Sequence, residues 1–306
     1  MCHSDLHKIN NEWEDACAYP MVPGHEVVGN VVAVGPKVTT IKVGQLVGFG
    51  PQRDSCRTCE YCTEGVDNCC TKFVGLYDPK YGGYATSITV PETFAFPIPE
   101  GIPTEVVGPL LCAGVTTYAP LARFAKKGER VGIVGIGGLG HMALQYAAAM
   151  GCETWAISTS ANKEAEARKF GAQHFLVSSD KDAMKANKDS FDFILCCASG
   201  NFNTGAYMKL LKPRKSFCLV GLPAVEEPVK FLPFDLITGE KQIVGSMIGG
   251  TVTMKEMLEF SAKHKCFPQC EVIDFKDAQN GVEKIMANSA RYRMVLKIDG
   301  FREAQK

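Results

Sequence analysis

The sequence predicts an α/β protein with a doubly wound parallel sheet in the middle of the chain and a mostly β region before it. Three observations carry that prediction. From about Glu129 onward, apolar runs of strand length alternate with amphipathic stretches of helix length, the pattern of parallel βαβ units. Residues 1 to about 112 are instead rich in Gly, Pro and short β-branched runs such as Val27-Val28-Gly29-Asn30-Val31-Val32-Ala33-Val34, which read as short strands and turns. A glycine-rich stretch, Gly135 to Gly140, joins the first apolar run to the first helix.

Taken in order, Arg130-Val131-Gly132-Ile133-Val134 opens the sheet, a helix runs from Gly140 to Met150, and Thr154–Ile157 is the second strand. A helix over Asn162–Phe170, strands over His174–Val177 and Asp192–Cys196, a helix over Asn203–Leu211, and strands over Ser216–Val220 and Gln242–Met247 complete it. That makes about six strands, the number of a doubly wound sheet that binds a dinucleotide. After Gly250 a helix, strand, helix and strand reach Ile298, too little for a third domain, so this tail is expected to return to the first. The expected domains are therefore 1–112 with 251–306, and 113–250.

Composition narrows the function. The chain of 306 residues has 33 Lys+Arg against 33 Asp+Glu, with no basic block, so it lacks the electrostatic footprint of a nucleic-acid binder. Its start, Met1-Cys2-His3-Ser4-Asp5, has neither a basic nor an apolar stretch of the secretory kind. The longest uncharged run, about Val131 to Cys152, is too glycine-rich for a membrane helix, so no membrane partner is expected and a cytoplasmic setting is. Fourteen cysteines in such a chain suggest metal or redox chemistry more than disulfides.

Cys56-x-x-Cys59-x-x-Cys62 followed by Cys70 puts four thiols on a short loop that has little to bury. Four thiolates close a tetrahedral zinc site with no open position, which is a structural staple. Cys69 beside Cys70 competes as fourth ligand, and spacing barely separates the two. Gly135-Ile136-Gly137-Gly138-Leu139-Gly140 supplies G-x-G-x-x-G between a strand and a helix, the context that makes this motif specific. Its first glycine permits a tight turn, the second lets a pyrophosphate approach the backbone, and the third lets helix and strand pack closely.

About twenty positions further on, a carboxylate would hydrogen-bond the adenosine ribose. The sequence has none there: Ile157 is followed by Ser158-Thr159-Ser160-Ala161-Asn162-Lys163. Hydroxyls and a cation suit a ribose 2′-phosphate, which an aspartate would repel, so NADP(H) is the expected cofactor. Ser160 also reads as a helix N-cap, which is compatible with that role.

Cys2-His3-Ser4-Asp5-Leu6-His7, Tyr19–Gly29, the four-cysteine loop, Leu110-Leu111-Cys112-Ala113-Gly114, Gly135–His141, Ser158–Lys163, Gly245–Gly250 and Arg291-Tyr292-Arg293 resemble the zinc-dependent medium-chain alcohol dehydrogenases, cinnamyl alcohol dehydrogenase branch. The resemblance runs in order over nearly the whole chain. It implies a Rossmann domain with a GroES-like catalytic domain, two zinc ions per chain, NADP(H), a small-molecule alcohol or aldehyde substrate and a homodimer.

Cys2, His25 and Cys112 match the catalytic zinc ligands. Taken singly they read as ordinary core or loop residues, and alcohol dehydrogenase is the type case for a Cys₂His set with an open position. Glu26 matches the acid beside that metal, which can transiently ligate it, and Asp5 a carboxylate that orients His25. Cys56, Cys59, Cys62 and Cys70 match the structural zinc set, with Cys70 favoured over Cys69. Ser4 matches the hydroxyl that bonds the reacting oxygen, and His7 the outer end of a proton relay. Thr116, Gly221, Ser246, Met247 and Ile248 match nicotinamide-side contacts, Arg293 a cofactor-phosphate contact, and Trp13 a lining residue of the substrate pocket.

The resemblance also implies a segment before the first cysteine ligand, with strands of the catalytic domain. Cys196-Cys197 stands where the branch has Asp-Thr, and Cys266 and Cys270 match no family cysteines; they read as free thiols. The activity implied is reversible hydride transfer between NADP(H) and a primary alcohol or aldehyde, aromatic or medium-chain. The alternatives weighed are a truncated, catalytically weak cofactor-binding paralogue, an NAD-dependent polyol dehydrogenase, and a zinc-ribbon interaction module, which would leave the glycine motif unexplained.

Overall fold

The computed structural model describes residues 1–13, 19–78, 81–200, 202–223 and 229–298. It divides into two compact units, one of Met1–Val115 with Ile248–Lys306 and one of Thr116–Met247.

The second unit is built on a six-stranded sheet in the order Gln242–Gly245, Leu211–Leu219, Phe191–Cys196, Arg130–Val134, Glu153–Ser158, His174–Val177, every pair parallel. Both faces of such a sheet are covered, which is why its central strands are apolar throughout rather than alternating. Val131, Ile133, Phe191, Ile194, Leu195 and Phe217 are buried to 1% exposure or less. The strand order reverses beside Arg130–Val134, the position where an open α/β sheet binds its ligand at the strands' carboxyl ends.

Some local expectations change. Leu211 begins a strand instead of ending a helix: the helix stops after Thr204–Met208, and the ladder is irregular between Leu211 and Ser216, where Pro213 has no N–H to donate and Arg214 has φ +64°. The stretch read as one helix over Asn162–Phe170 is a 3₁₀ turn, Ala161–Lys163, followed by a short α-helix, Glu164–Lys169. A helix over Lys181–Ala186 was unforeseen, although Asp180 caps it by accepting from the N–H groups of Asp182 and Ala183.

The first unit carries a three-stranded antiparallel sheet, Val27–Asn30, Leu46–Phe49 and Phe96–Pro97. Gln52–Asp54 pairs with Val74–Gly75, and Cys270–Asp274 lies parallel to Arg293–Lys297. Pattern reading missed two helical pieces here. His3–Ile9 is a helix, and Thr104–Phe124 is a helical run interrupted by a π-turn over Leu110–Gly114. The latter is long and apolar enough to cross a membrane, yet 83% of its apolar window is buried, as in the core helix of a globular protein.

Candidate active site

The four-cysteine loop closes on itself. Zn–S bonds of about 2.3 Å in tetrahedral geometry hold sulfurs about 3.8 Å apart. Here Cys56 and Cys62 are separated by 3.8 Å, Cys59 and Cys62 by 3.5 Å, and Cys59 and Cys70 by 3.8 Å. Backbone N–H groups of Cys59 and Lys72 donate to the sulfurs of Cys56 and Cys70, both at 3.3 Å, which offsets thiolate charge. Cys70 is buried in the cluster, whereas Cys69 is exposed and outside it.

A second donor set is assembled from three distant segments: the ligand atoms of Cys2, His25, Glu26 and Cys112 all lie within 4.8 Å of one another. Each is positioned by local structure. Cys2 is the N-cap residue of helix His3–Ile9. His25 follows Gly24, whose φ of +100° suits glycine and where a Cβ would sit 2.4 Å from the Tyr84 ring. Cys112 lies in the π-turn, a distortion frequent at functional sites. His25 Nε2 is 3.2 Å from Cys112 Sγ, and Ser4 Oγ is 3.7 Å from Cys2 Sγ.

Asp5 binds this set together. Its Oδ2 accepts from Cys2 N (2.9 Å) and Tyr84 Oη (3.2 Å), and its Oδ1 from Gly24 N (3.1 Å), His25 Nδ1 (2.9 Å) and Tyr77 Oη (2.6 Å). One carboxylate thus fixes the backbone of one ligand and the ring of another. Burial alone would raise its pKa, but the opposing charge and hydrogen bond of His25 prevail and hold it well below the usual range. Burial works against His25 protonation, yet Asp5 pushes the imidazole up to about 10. The hydrogen bond from Cys112 lowers the Cys2 thiol, with help from Arg293, while the same bond and burial raise Cys112. Two cysteine sulfurs and an imidazole nitrogen are donors that zinc takes, so these residues fit it through their chemistry as well as their spacing.

Glu26 Oε1 pairs with Arg293 Nη2, and both side chains are buried. Arg293 Nε is buried and has no partner among the described residues, a donor that suits an incoming acceptor. His7 presents Nδ1 to Glu12 and stacks on Trp13 with ring centroids 4.9 Å apart, and its buried Nε2 has no hydrogen-bond partner among the described residues. Sequence reading missed Glu12, Tyr77 and Tyr84. The spacing His7-x-x-x-x-Glu12 was a visible signal, but the tyrosines reach Asp5 from 72 and 79 residues away and left none.

The glycine loop separates its three roles cleanly. Gly135 has φ +85°; a Cβ on Gly140 would lie 2.0 Å from the Gly135 carbonyl oxygen; a Cβ on Gly137 would meet nothing within 4 Å. The first two are demanded by the fold, and the third faces open space among the described residues. Lys163 donates to the carbonyl of Ile136 at 2.8 Å, so its cation stands at this loop. Ser158 ends its strand, Thr159 and Ser160 are exposed, and Ser160 is the N-cap residue of the 3₁₀ turn, its hydroxyl donating to Asn162 Oδ1 instead of accepting from the backbone. These residues fit a dinucleotide with a 2′-phosphate. Gly221 packs against Ala198, Thr116 is buried near the start of helix Val115–Phe124, and Ser246 N donates to Leu219 O. Ile248 opens the returning part of the first unit with φ +43°, while Met247, the last residue of the second, is exposed.

The profile of the alcohol dehydrogenase GroES-like domain matches residues 1–100, and that of the zinc-binding dehydrogenases matches residues 138–263. A Bacillus subtilis protein named "Probable formaldehyde dehydrogenase AdhA" is 43% identical over 97% of this chain and 87% of its own length. Among solved structures, a cinnamyl alcohol dehydrogenase from Sorghum bicolor superposes with a TM-score of 0.92 at 39% identity, over 97% of this chain and 86% of that one. The corresponding enzyme of Helicobacter pylori, solved with NADP(H), gives 0.90 at 37% identity, over 97% and 87%.

Proposed function

Because the chain belongs to the zinc-binding medium-chain alcohol dehydrogenases, in the cinnamyl alcohol dehydrogenase branch, we propose that it reduces aromatic or medium-chain aldehydes with NADPH and oxidises the corresponding primary alcohols in reverse. It is a zinc-dependent alcohol dehydrogenase or aldehyde reductase; what is proposed is the substrate class, the direction and the residue roles. One observation carries the reading: a buried Cys₂His donor set, with a carboxylate beside it, is drawn from three segments that share no local reason to meet.

When bound, zinc supplies Lewis-acid polarisation of the carbonyl and the reduced nicotinamide supplies hydride. The protein's own residues do the rest. Cys2, His25 and Cys112 hold the catalytic ion, and Cys56, Cys59, Cys62 and Cys70 the structural one. Asp5 keeps the His25 ring in the tautomer with Nδ1 protonated, leaving Nε2 for the metal. Ser4 Oγ donates a proton to the substrate oxygen and is resupplied through His7, whose Nδ1 is held by Glu12. Glu26 keeps Arg293 in place by charge. Gly135 to Gly140 receive the pyrophosphate, Ser158, Thr159, Ser160 and Lys163 the 2′-phosphate, and Thr116, Gly221, Ser246, Met247 and Ile248 the nicotinamide half, with Arg293 at a phosphate.

The same reading includes a homodimer. Strand Gln242–Gly245 is an edge strand, and Leu232, Phe234 and Ile237 of the same unit are 67%, 73% and 76% exposed, the kind of apolar edge that a second copy covers. A steady-state screen of NADPH and NADH against an aldehyde panel, with zinc counted per chain, tests the enzymatic reading. Two zincs and NADPH-dependent turnover of aromatic aldehydes support it; folded protein with zinc and no turnover on any aldehyde overturns it.

A further inference from the structure

We propose that Asp67 is a positioning residue for the cofactor, tying the four-cysteine loop to the backbone at Ile248–Thr251. The proposal rests on the assignment of Ser246–Ile248 to the nicotinamide. Asp67 lies between the ligands Cys62 and Cys70 and is 3% exposed. Its Oδ1 accepts from both Thr251 N and Thr251 Oγ1 at 2.8 Å, across 184 residues of sequence. Its Oδ2 is buried and has no hydrogen-bond partner among the described residues. A carboxylate buried with half its acceptors unused is costly to keep, and nothing in the zinc loop's own architecture needs it. What it does is grip the first residue of helix Thr251–His264, immediately after the proposed nicotinamide segment.

The contact it secures is backbone against backbone. A Cβ on Gly250 would lie 2.1 Å from the Gly65 carbonyl oxygen and 2.8 Å from Val66 Cα, and a Cβ on Gly65 would lie 2.2 Å from Val252 Cγ2. Asp67 is itself immobilised, since its carbonyl accepts from the buried Gln52 side chain at 2.9 Å and from Cys70 N at 3.1 Å. Two residues before the contact, Ile248 holds φ +43°, a conformation that a β-branched residue keeps only when its surroundings enforce it. The structural zinc loop, anchored through Asp67, is the surrounding that enforces it from the C-terminal side. The loop thereby acts on cofactor geometry as well as on stability.

The test uses zinc-loaded full-length protein carrying Asp67→Ala, Asp67→Asn, Thr251→Val or Ile248→Ala. The readouts are zinc content, NADPH Kd from nucleotide fluorescence, and KM and kcat separately for NADPH and aldehyde. Asp67→Ala is expected to keep two zincs per chain while raising NADPH Kd and KM about tenfold. The aldehyde KM should stay within about twofold. Asp67→Asn retains the acceptor oxygen and should restore wild-type values; Thr251→Val, which removes one of the two bonds, should shift Kd about threefold and serves if Asp67→Ala does not fold. A lowered Tm with unchanged NADPH Kd in both Asp67→Ala and Thr251→Val overturns the proposal. If Ile248→Ala nevertheless weakens NADPH binding, the segment assignment survives and only the role of Asp67 falls; if Ile248→Ala also leaves Kd unchanged, both fall.

Discussion

Replacing Asp5 by Asn tests the idea that one carboxylate assembles the catalytic donor set. The amide can keep an oxygen at the Oδ1 position, where Gly24 N, His25 Nδ1 and Tyr77 Oη donate. Its nitrogen then replaces Oδ2 and faces the Cys2 N–H, which donates to Asp5 at 2.9 Å, so a hydrogen bond becomes a donor–donor contact. Tyr84 can turn its hydroxyl to accept. The net loss is one hydrogen bond to a charged group and the charge opposite His25, worth about 1.5–3 kcal/mol. Partners behind a metal ligand are independently worth about 10- to 100-fold in metal affinity, or roughly 1.4–2.7 kcal/mol, and the two figures agree. The assay is competition with a chromophoric chelator, with the four-cysteine site as internal control because Asp5 does not touch it. Zinc affinity at the Cys2–His25–Cys112 site should fall by that factor while the control is unchanged. Affinity within threefold of wild type at both sites would refute the argument.

Three further outcomes follow from named contacts. Gly137→Ala should leave Tm within about 2 °C, because its Cβ meets open space, yet weaken NADPH at least about tenfold; Gly140→Ala should itself cost about 1–3 kcal/mol, because its Cβ strikes the Gly135 carbonyl, as thermal unfolding and nucleotide titration will read. Ser158→Asp with Lys163→Ala should move the NADPH-to-NADH ratio of kcat/KM at least about tenfold toward NADH, since a cation held at the loop is lost and an anion gained; an unchanged ratio places the phosphate elsewhere. In zinc-free protein His25 has its pKa raised to about 10, so its contribution to stability is complete below about 6.5 and is lost as pH rises through 10. Denaturant unfolding of wild type, but not of His25→Ala, should show that loss.

The parallel sheet could be read from the chain because its information is local: each strand is an apolar run a few residues long, and the glycine loop sits between two of them. The same holds for the four-cysteine loop, whose ligands Cys56, Cys59 and Cys62 follow one another at three-residue spacing, and for the expected 2′-phosphate, read from Lys163 and the hydroxyls standing where an acid would. Where local signals conflict, pattern reading failed. The apolar stretch around Leu110–Gly114 has no strand alternation and contains Pro109 just before it, so its helical state is decided by burial on all sides.

The sequence by itself therefore determined the fold class, the grouping of the four-cysteine loop and the glycine junction between strand and helix, since short-range spacing fixes short-range geometry. Residue types alone left Cys2, His25 and Cys112 indistinguishable from ordinary core and loop residues; only resemblance to a family grouped them. The tertiary structure alone brings Asp5 to five donors from four stretches of chain, buries Cys70 while exposing Cys69, and sets Asp67 against Thr251. Contacts between residues so far apart leave no periodicity or spacing in the chain, because packing of whole elements, not local conformational preference, brings them within hydrogen-bonding distance.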